Sequence, residues 1–219
     1  MMIRSILIAF TIITQVSVNA QTPADSLAIV TANWEVKEVD KGMRSLQAAF
    51  PSLYGGPQYV SIVEVKPSRK AKAGIGISKQ MKTLSTLAQE HKATAAINGS
   101  YYNMSNGNSV TFLKVDTAVS DSTTDAEFNI RVTGAVVVRK GKLRILPWSR
   151  SIERGYKKKT GIVLASGPLI LQNSHNTDWS ACERISSIRN TRAVLSQQQK
   201  TNGCSLSLLM GVRQGTLSA

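Results

Sequence analysis

Cysteine and histidine are scarce in this 219-residue chain, with two of each. Cys182 and Cys204 stand apart, and His91 and His175 are isolated, so no spacing matches a zinc finger or another metal-ligand cluster. The two cysteines can pair in an oxidising compartment, but their spacing does not decide whether they do. Acidic residues are also few: 13 against 27 lysines and arginines, a formal net charge of +14. Aromatic residues make up only 5% of the chain. The basic residues are scattered except at Lys157-Lys158-Lys159, which reads as a solvated loop, and no aromatic-basic stripe accompanies them. A nucleic-acid partner is therefore not expected, and the cationic surface suits anionic glycans or sugar phosphates instead. Gly74-Ile-Gly-Ile-Ser-Lys79 lacks the Gly-Lys-Ser/Thr ending of a phosphate loop, which removes nucleotide binding. No cofactor is assigned.

Long apolar runs are confined to the N-terminus. Arg4 precedes an apolar stretch over Ile6 to Val18, and Val18-Asn19-Ala20 sets small residues where a signal peptidase reads. Residues 1–20 thus read as a signal peptide, with a mature chain from Gln21 that is secreted or periplasmic. The stretch is too short to span a bilayer comfortably, and nothing after signal removal is apolar enough to be transmembrane.

Residues 21–56 read as a polar lead-in with a strand at Asn33 to Val39, and 57–219 as the main domain. Tyr59 to Val65 alternates aromatic and β-branched residues, a strand signal. Pro67 to Lys72 reads as a basic turn. Ser78 is placed to cap a helix to His91 with Met81, Leu84, Leu87 and Ala88 on one face. Residues 105–127, rich in Ser, Thr, Asn and Asp, read as a long surface loop with a short strand at Val110 to Val115. A hairpin is expected from Thr133 to Arg139 and Lys142 to Leu146 about Lys140-Gly141. Strands follow at Gly161 to Ser166 and Leu169 to Gln172. The fold class is α+β, a mixed β-sheet domain with a few helices.

Chemistry concentrates in three segments. In Ala95-Ala-Ile-Asn-Gly-Ser-Tyr-Tyr-Asn103 a small-residue strand is expected to run into an Asn98-Gly99 turn, since both residues tolerate positive φ. That delivers an amide, a bare backbone and an aromatic wall to one point. Ala165-Ser-Gly-Pro-Leu-Ile-Leu171 is a turn launching an apolar strand, and Arg189-Asn-Thr-Arg-Ala-Val194 sets an arginine before another strand.

In this order and spacing, over about residues 60–200, the segments resemble the phosphodiester glycosidase family, whose best-known member removes N-acetylglucosamine from a sugar phosphodiester. Its pattern runs Asn-Gly-aromatic-aromatic, Gly-Gly-Pro-Leu, His-Pro-Arg-Thr-Ala, then Asp-Gly-Arg and Asp-Gly-Gly-Gly-Ser. Here Ser166, Thr191 and Ala193 replace the family's Gly, Pro and Thr, and the last two elements are absent. The resemblance implies that Arg192 binds phosphate as the catalytic cation. It gives the sugar to Asn98, the Gly99 backbone and the Tyr101 or Tyr102 ring, with Gly167 allowing close backbone approach. Asp116, Asp121 and Asp125 lie in the polar loop and are poor substitutes for the missing carboxylates. Structural alternatives stand beside these roles. Arg192 can pair with Glu183 or another carboxylate, one of the two alternating tyrosines belongs in the core, and Gly167-Pro168 can be only a turn.

The implied activity is that of a secreted hydrolase cleaving sugar-1-phosphodiester linkages in surface glycans or exopolysaccharide. The alternative is a non-catalytic glycan-binding envelope protein. The family domain continues for several elements beyond a strand at Ser205 to Met210. Read one base earlier with allowed synonymous codons, Leu209-Met-Gly-Val-Arg-Gln-Gly-Thr-Leu-Ser-Ala219 becomes Asp-Gly-Arg-Ala-Pro-Gly-His-Ala-Val-Gly. The expectation is a domain incomplete at its C-terminus and inactive as encoded. Resequencing from the Arg192 codon past the stop is expected to give Asp-Gly-Arg and a glycine-rich Asp turn in a shifted frame. Their absence from all three frames removes the catalytic half of the assignment.

Overall fold

A computed structural model describes residues 22–66, 72–78, 80–140, 142–157, 159–173, 175–178, 192–200 and 203–213; over 192–193, 198–200 and 203–213 the description is of the backbone. The signal segment, most of the basic turn after Pro67 and Cys182 lie outside the described residues, as does the side chain of Cys204.

The fold is α+β and mostly β, as the strand and helix signals imply. In chain order the elements are α1 (Pro23–Thr31), β1 (Glu35–Asp40), β2 (Met43–Leu53), β3 (Gly56–Val65), α2 (Leu84–Glu90), β4 (Leu113–Val115), β5 (Ala118–Asp121) and α3 (Asp125–Ile130). They continue with β6 (Gly134–Arg139), β7 (Lys142–Pro147), α4 (Arg150–Tyr156), β8 (Ile162–Ser166), β9 (Leu171–Gln172), β10 (His175–Asn176), β11 (Arg192–Lys200) and β12 (Gly203–Arg213). One sheet has the order β1-β2-β3-β12-β11 and the other β5-β4-β8-β6-β7, with β9 and β10 forming a separate pair. The strand pairings among the described residues are antiparallel.

The segment expected as a lead-in supplies α1 and two of the five strands of the first sheet. Thr22 and Asp25 form a capping box, each side chain satisfying a backbone N–H of the other, with Pro23 in the first turn of α1. The carboxylate of Asp25 also accepts from Tyr54 N at 2.8 Å, and these backbone donors hold Asp25 below the ordinary carboxylate range. Tyr54 and Gly55, at φ 53° and 79°, make the two-residue turn that joins β2 to β3. A boundary at residue 56 therefore cuts a hairpin. Pro51 obscures β2 in the sequence, but it sits where the register shifts between Phe50 and Leu53, a place a strand tolerates proline. The face of this hairpin that carries Ala48, Phe50, Leu53 and Val60 packs beneath Ala28, Ile29, Ala32 and Trp34. The expected Ser205–Met210 strand lies within β12, between β3 and β11.

The second sheet holds the other core: Phe112, Val132, Ala135, Val137, Trp148, Val163 and Ala165. The expected hairpin forms, as β6 and β7, with Lys140 at φ 50° in its turn. The expected surface loop over 105–127 forms only in part: its short strand appears as β4, but the loop is broken by buried residues and ends in α3. Thr111, Phe112, Lys114, Thr123 and Glu127 within it are buried. Several of its polar residues cap and cross-link, while others, among them Ser105, Asn106, Asn108, Asp116, Ser120 and Ser122, are exposed. Thr123 Oγ1 accepts from Phe112 N at 2.9 Å, and Thr124 caps α3. The Lys114 ammonium donates to the carbonyls of Asp116 and Lys159. Buried Glu153 accepts from Thr123 N at 3.2 Å and from Trp148 Nε1 at 3.1 Å.

The helix expected from Ser78 starts only at Leu84, capped by Thr83, while Ser78 accepts from Gln80 N in a local turn. No α2 residue is buried and Met81 is exposed, so no packed face extends the helix toward Ser78. The strand expected from Leu169 shortens to β9. Among the described residues no helix is long and apolar enough to cross a membrane.

Phe112 is fully buried against Trp148, ring centroids 5.7 Å apart. Phe112→Ala is expected to destabilise the chain by about 3–5 kcal/mol through cavity formation, read as a lowered urea midpoint; a loss under about 1 kcal/mol contradicts this core assignment.

Candidate functional site

The second sheet brings two of the three chemistry-bearing segments together at the C-terminal end of β8. Phe112 O accepts from Ala165 N at 2.8 Å, which extends the pairing beyond β4 and carries β8 toward Ser166. Residues 95–99 run alongside without forming a strand, a correction to the expected small-residue strand. Without strand pairing the segment is held by side chains. Ser100 Oγ donates to Ala165 O at 2.9 Å and shares a hydrogen bond with Thr111 Oγ1. Ser166 Oγ donates to Gly99 O at 3.4 Å.

Asn98-Gly99 is not the expected positive-φ turn, since neither residue takes positive φ. Glycine is suited to position 99 for another reason. A Cβ there would lie 2.6 Å from Leu164 Cδ2. Gly167 is under a harder constraint, because a Cβ would lie 2.1 Å from Arg131 O and 2.9 Å from Thr133 N. The chain then leaves through a cis Gly167-Pro168 peptide, and Leu169 N donates to Thr133 Oγ1 at 2.8 Å.

Tyr101 and Tyr102 divide as alternation implies. Tyr101 packs against the core, and its hydroxyl donates to Gly167 O at 2.5 Å, fastening one segment to the other. Tyr102 is 50% exposed and pairs with Ser109 across a loop closed by a hydrogen bond from Gly107 N to Asn103 O. Asn98 and Gly99 are exposed, so their polar groups are accessible beside this seam.

Two charged residues not singled out in the sequence join the seam. The Arg131 guanidinium lies 3.7 Å from the centroid of the Tyr101 ring. It donates to both oxygens of Glu127, Nε to Oε2 at 2.6 Å and Nη2 to Oε1 at 2.8 Å. That hydrogen-bonded carboxylate raises the Arg131 pKa above its ordinary value, against the opposing effect of burial. The Thr124-x-x-Glu127 cap signal followed by Arg131 four residues on was legible, but it fell in a stretch taken as loop.

Arg192 is not joined to this seam by the described contacts. Its backbone begins β11, opposite Val212 in the first sheet, and its side chain lies outside the described residues. Asp116 occupies the β4–β5 turn at φ 51°, and Asp125 pairs with Arg150. Among the described residues no three His, Cys, Asp or Glu side chains converge as metal ligands. No family model, curated protein or solved structure matches the chain.

The two glycines are expected to respond differently to the same change. Gly167→Ala drives a methyl into rigid backbone and is expected to cost more than about 3 kcal/mol. Gly99→Ala meets only the tip of a leucine and should cost about 1 kcal/mol or less, largely recovered by Leu164→Val. Denaturation of the three variants checks the ranking, and equal losses at 99 and 167 would refute it.

Proposed function

We propose that the chain is an exported phosphodiester glycosidase-like domain that recognises sugar-1-phosphodiester linkages in surface glycans or exopolysaccharide. The observation that carries this reading is the seam itself. Two segments far apart in sequence and chosen for their chemistry are fastened by the Tyr101 hydroxyl on the Gly167 carbonyl. Export rests on the N-terminal signal pattern, and the site roles rest on the ordered motifs together with this convergence.

The chemistry asked of such a site is modest at the leaving group. A phosphate monoester departs as a stable anion, so strong protonation matters less than for an ordinary glycoside. The remaining demands are a phosphate cradle, a grip on sugar hydroxyls and a stabiliser of developing positive charge. Exposed Asn98 supplies an amide donor and acceptor beside the exposed Gly99 backbone, whereas the missing side chain of Gly167 makes room for the Arg131 carbonyl rather than for a ligand. The exposed Tyr102 ring offers an apolar face to a sugar. Arg192 is assigned to the phosphate, since a guanidinium binds it through two parallel N–H donors. Both oxygens of Glu127 are engaged by Arg131, so this carboxylate serves as a counter-ion rather than as the charge stabiliser.

The probe is the methyl phosphodiester of N-acetylglucosamine 1-phosphate, followed by calorimetry and by sugar release. Binding is expected, weakened about tenfold by Asn98→Ala or Arg192→Ala, the equivalent of one lost charge-assisted hydrogen bond at about 1.4 kcal/mol. Binding with sugar release identifies a hydrolase, and binding without release identifies the glycan-binding alternative. No binding, or affinity lost entirely on adding salt as for a nonspecific polyanion site, sinks the proposal.

A further inference from the structure

Arg131 touches both segments of the seam by different parts of itself. Its guanidinium stacks on the Tyr101 ring, and its carbonyl oxygen stands where a side chain on Gly167 would begin. The segment 98–102 and the Gly167-Pro168 turn are thus spaced by one residue, at the end of α3. The guanidinium is fixed in turn, because Glu127 holds it with two hydrogen bonds and that carboxylate side chain is only 10% exposed.

An ordinary exposed pair four residues apart on a helix contributes about 0.3–0.5 kcal/mol and fixes little. This pair differs in geometry. Bidentate contact removes the rotational freedom of the guanidinium plane, and a plane so held presents a flat cation to one face of a ring. A phenol ring confined on that face keeps its hydroxyl directed along one line, here onto Gly167 O at 2.5 Å.

We infer that Arg131 is a positioning residue: clamped by Glu127, it fixes the Tyr101 ring and so sets the separation of Asn98-Gly99 from Gly167 at which a sugar phosphate is held. The ligand named here rests on the sugar-phosphodiester proposal; the clamp itself does not.

The test uses the full chain. Hydrogen exchange of peptides covering 98–102 and 166–169 is measured without ligand in wild type, Arg131→Ala, Arg131→Lys and Tyr101→Phe, alongside thermal midpoints. Arg131→Ala is expected to raise exchange about tenfold in both segments while peptides of β2 and β3 stay unchanged. Tyr101→Phe should reproduce the rise without affecting α3. A few millimolar guanidinium, far below denaturing levels, should restore part of the protection in Arg131→Ala and not in Tyr101→Phe. Affinity for the methyl phosphodiester of N-acetylglucosamine 1-phosphate should fall about tenfold and recover with the same guanidinium.

Wild-type protection of both segments in folded Arg131→Ala overturns the inference. So does protection lost evenly across the chain with no guanidinium rescue, the mark of a helix-stabilising pair. If Arg131→Ala does not fold, Arg131→Lys decides by the same criteria, because lysine keeps the charge but loses the plane. Failure of wild type to bind the phosphodiester counts against the proposed function alone, since the exchange pattern still decides the clamp.

Discussion

Two stretches of backbone pass each other at residue 167 with no room for a side chain between them. A methyl group there would sit 2.1 Å from the Arg131 carbonyl oxygen, a separation no carbon tolerates, and backbone on both sides prevents an inexpensive retreat. The neighbouring bonds depend on this passage. Leu169 N reaches Thr133 Oγ1 because the chain runs this low over the β6 entry, and the Tyr101 hydroxyl finds Gly167 O because the carbonyl is held at that height. Ser100 and Ser166 then tie the 98–102 segment to β8 from its other side. The candidate site is therefore a consequence of packing in the second sheet, and the glycine at 167 is required by the backbone that passes it rather than by access for a ligand.

How legible this was in the sequence depended on whether a residue's role was local. Strands rich in aromatic and β-branched residues, such as Tyr59 to Val65, were readable because that signal is written in adjacent residues, although burial there falls on Val60 and Val63 rather than on every second position. Hairpins were readable where the turn chemistry stood out, as at Lys140-Gly141. Residues 105–127 were misread in part, because serine and threonine carry one signal for two fates. They solvate loops, and they also cap helices and satisfy buried backbone, as Thr123 and Thr124 do here. The motif residues Asn98, Gly99, Tyr101 and Gly167 were found from chemistry alone, yet the reason for Gly99 was wrong. Nothing in the local sequence reveals that Leu164, sixty-five residues on, occupies the space of its missing side chain. Arg131 escaped for the same reason, since its ring partner is thirty residues away.

The two sheets meet through a side chain that imitates backbone. Gln197 of β11 donates from Nε2 to Leu143 O at 3.1 Å and accepts at Oε1 from Ile145 N at 3.3 Å. Both strands are sheet edges, with unspent donors and acceptors that would otherwise need water or another chain. A primary amide has the donor and acceptor of a peptide group, so it satisfies β7 without drawing β11 into the same ladder. The first sheet thereby stays a separate layer with its own core under α1.

Charge acts on this arrangement at two ranges. A formal excess of +14 spread over scattered side chains gives a long-range field that concentrates anions near the surface, and such a field weakens as salt shortens its reach to about 10 Å or less. The seam is different in kind. Its one described cation, Arg131, is neutralised at contact distance by Glu127 and spent on a ring, so it adds little to the field and much to the geometry. An anionic glycan meeting this surface would feel the scattered charge first and the seam last. For the glycan ligand proposed above, selectivity among anions would come from the second step, where a sugar ring would be matched against fixed polar groups, because the first step is indifferent to everything but charge.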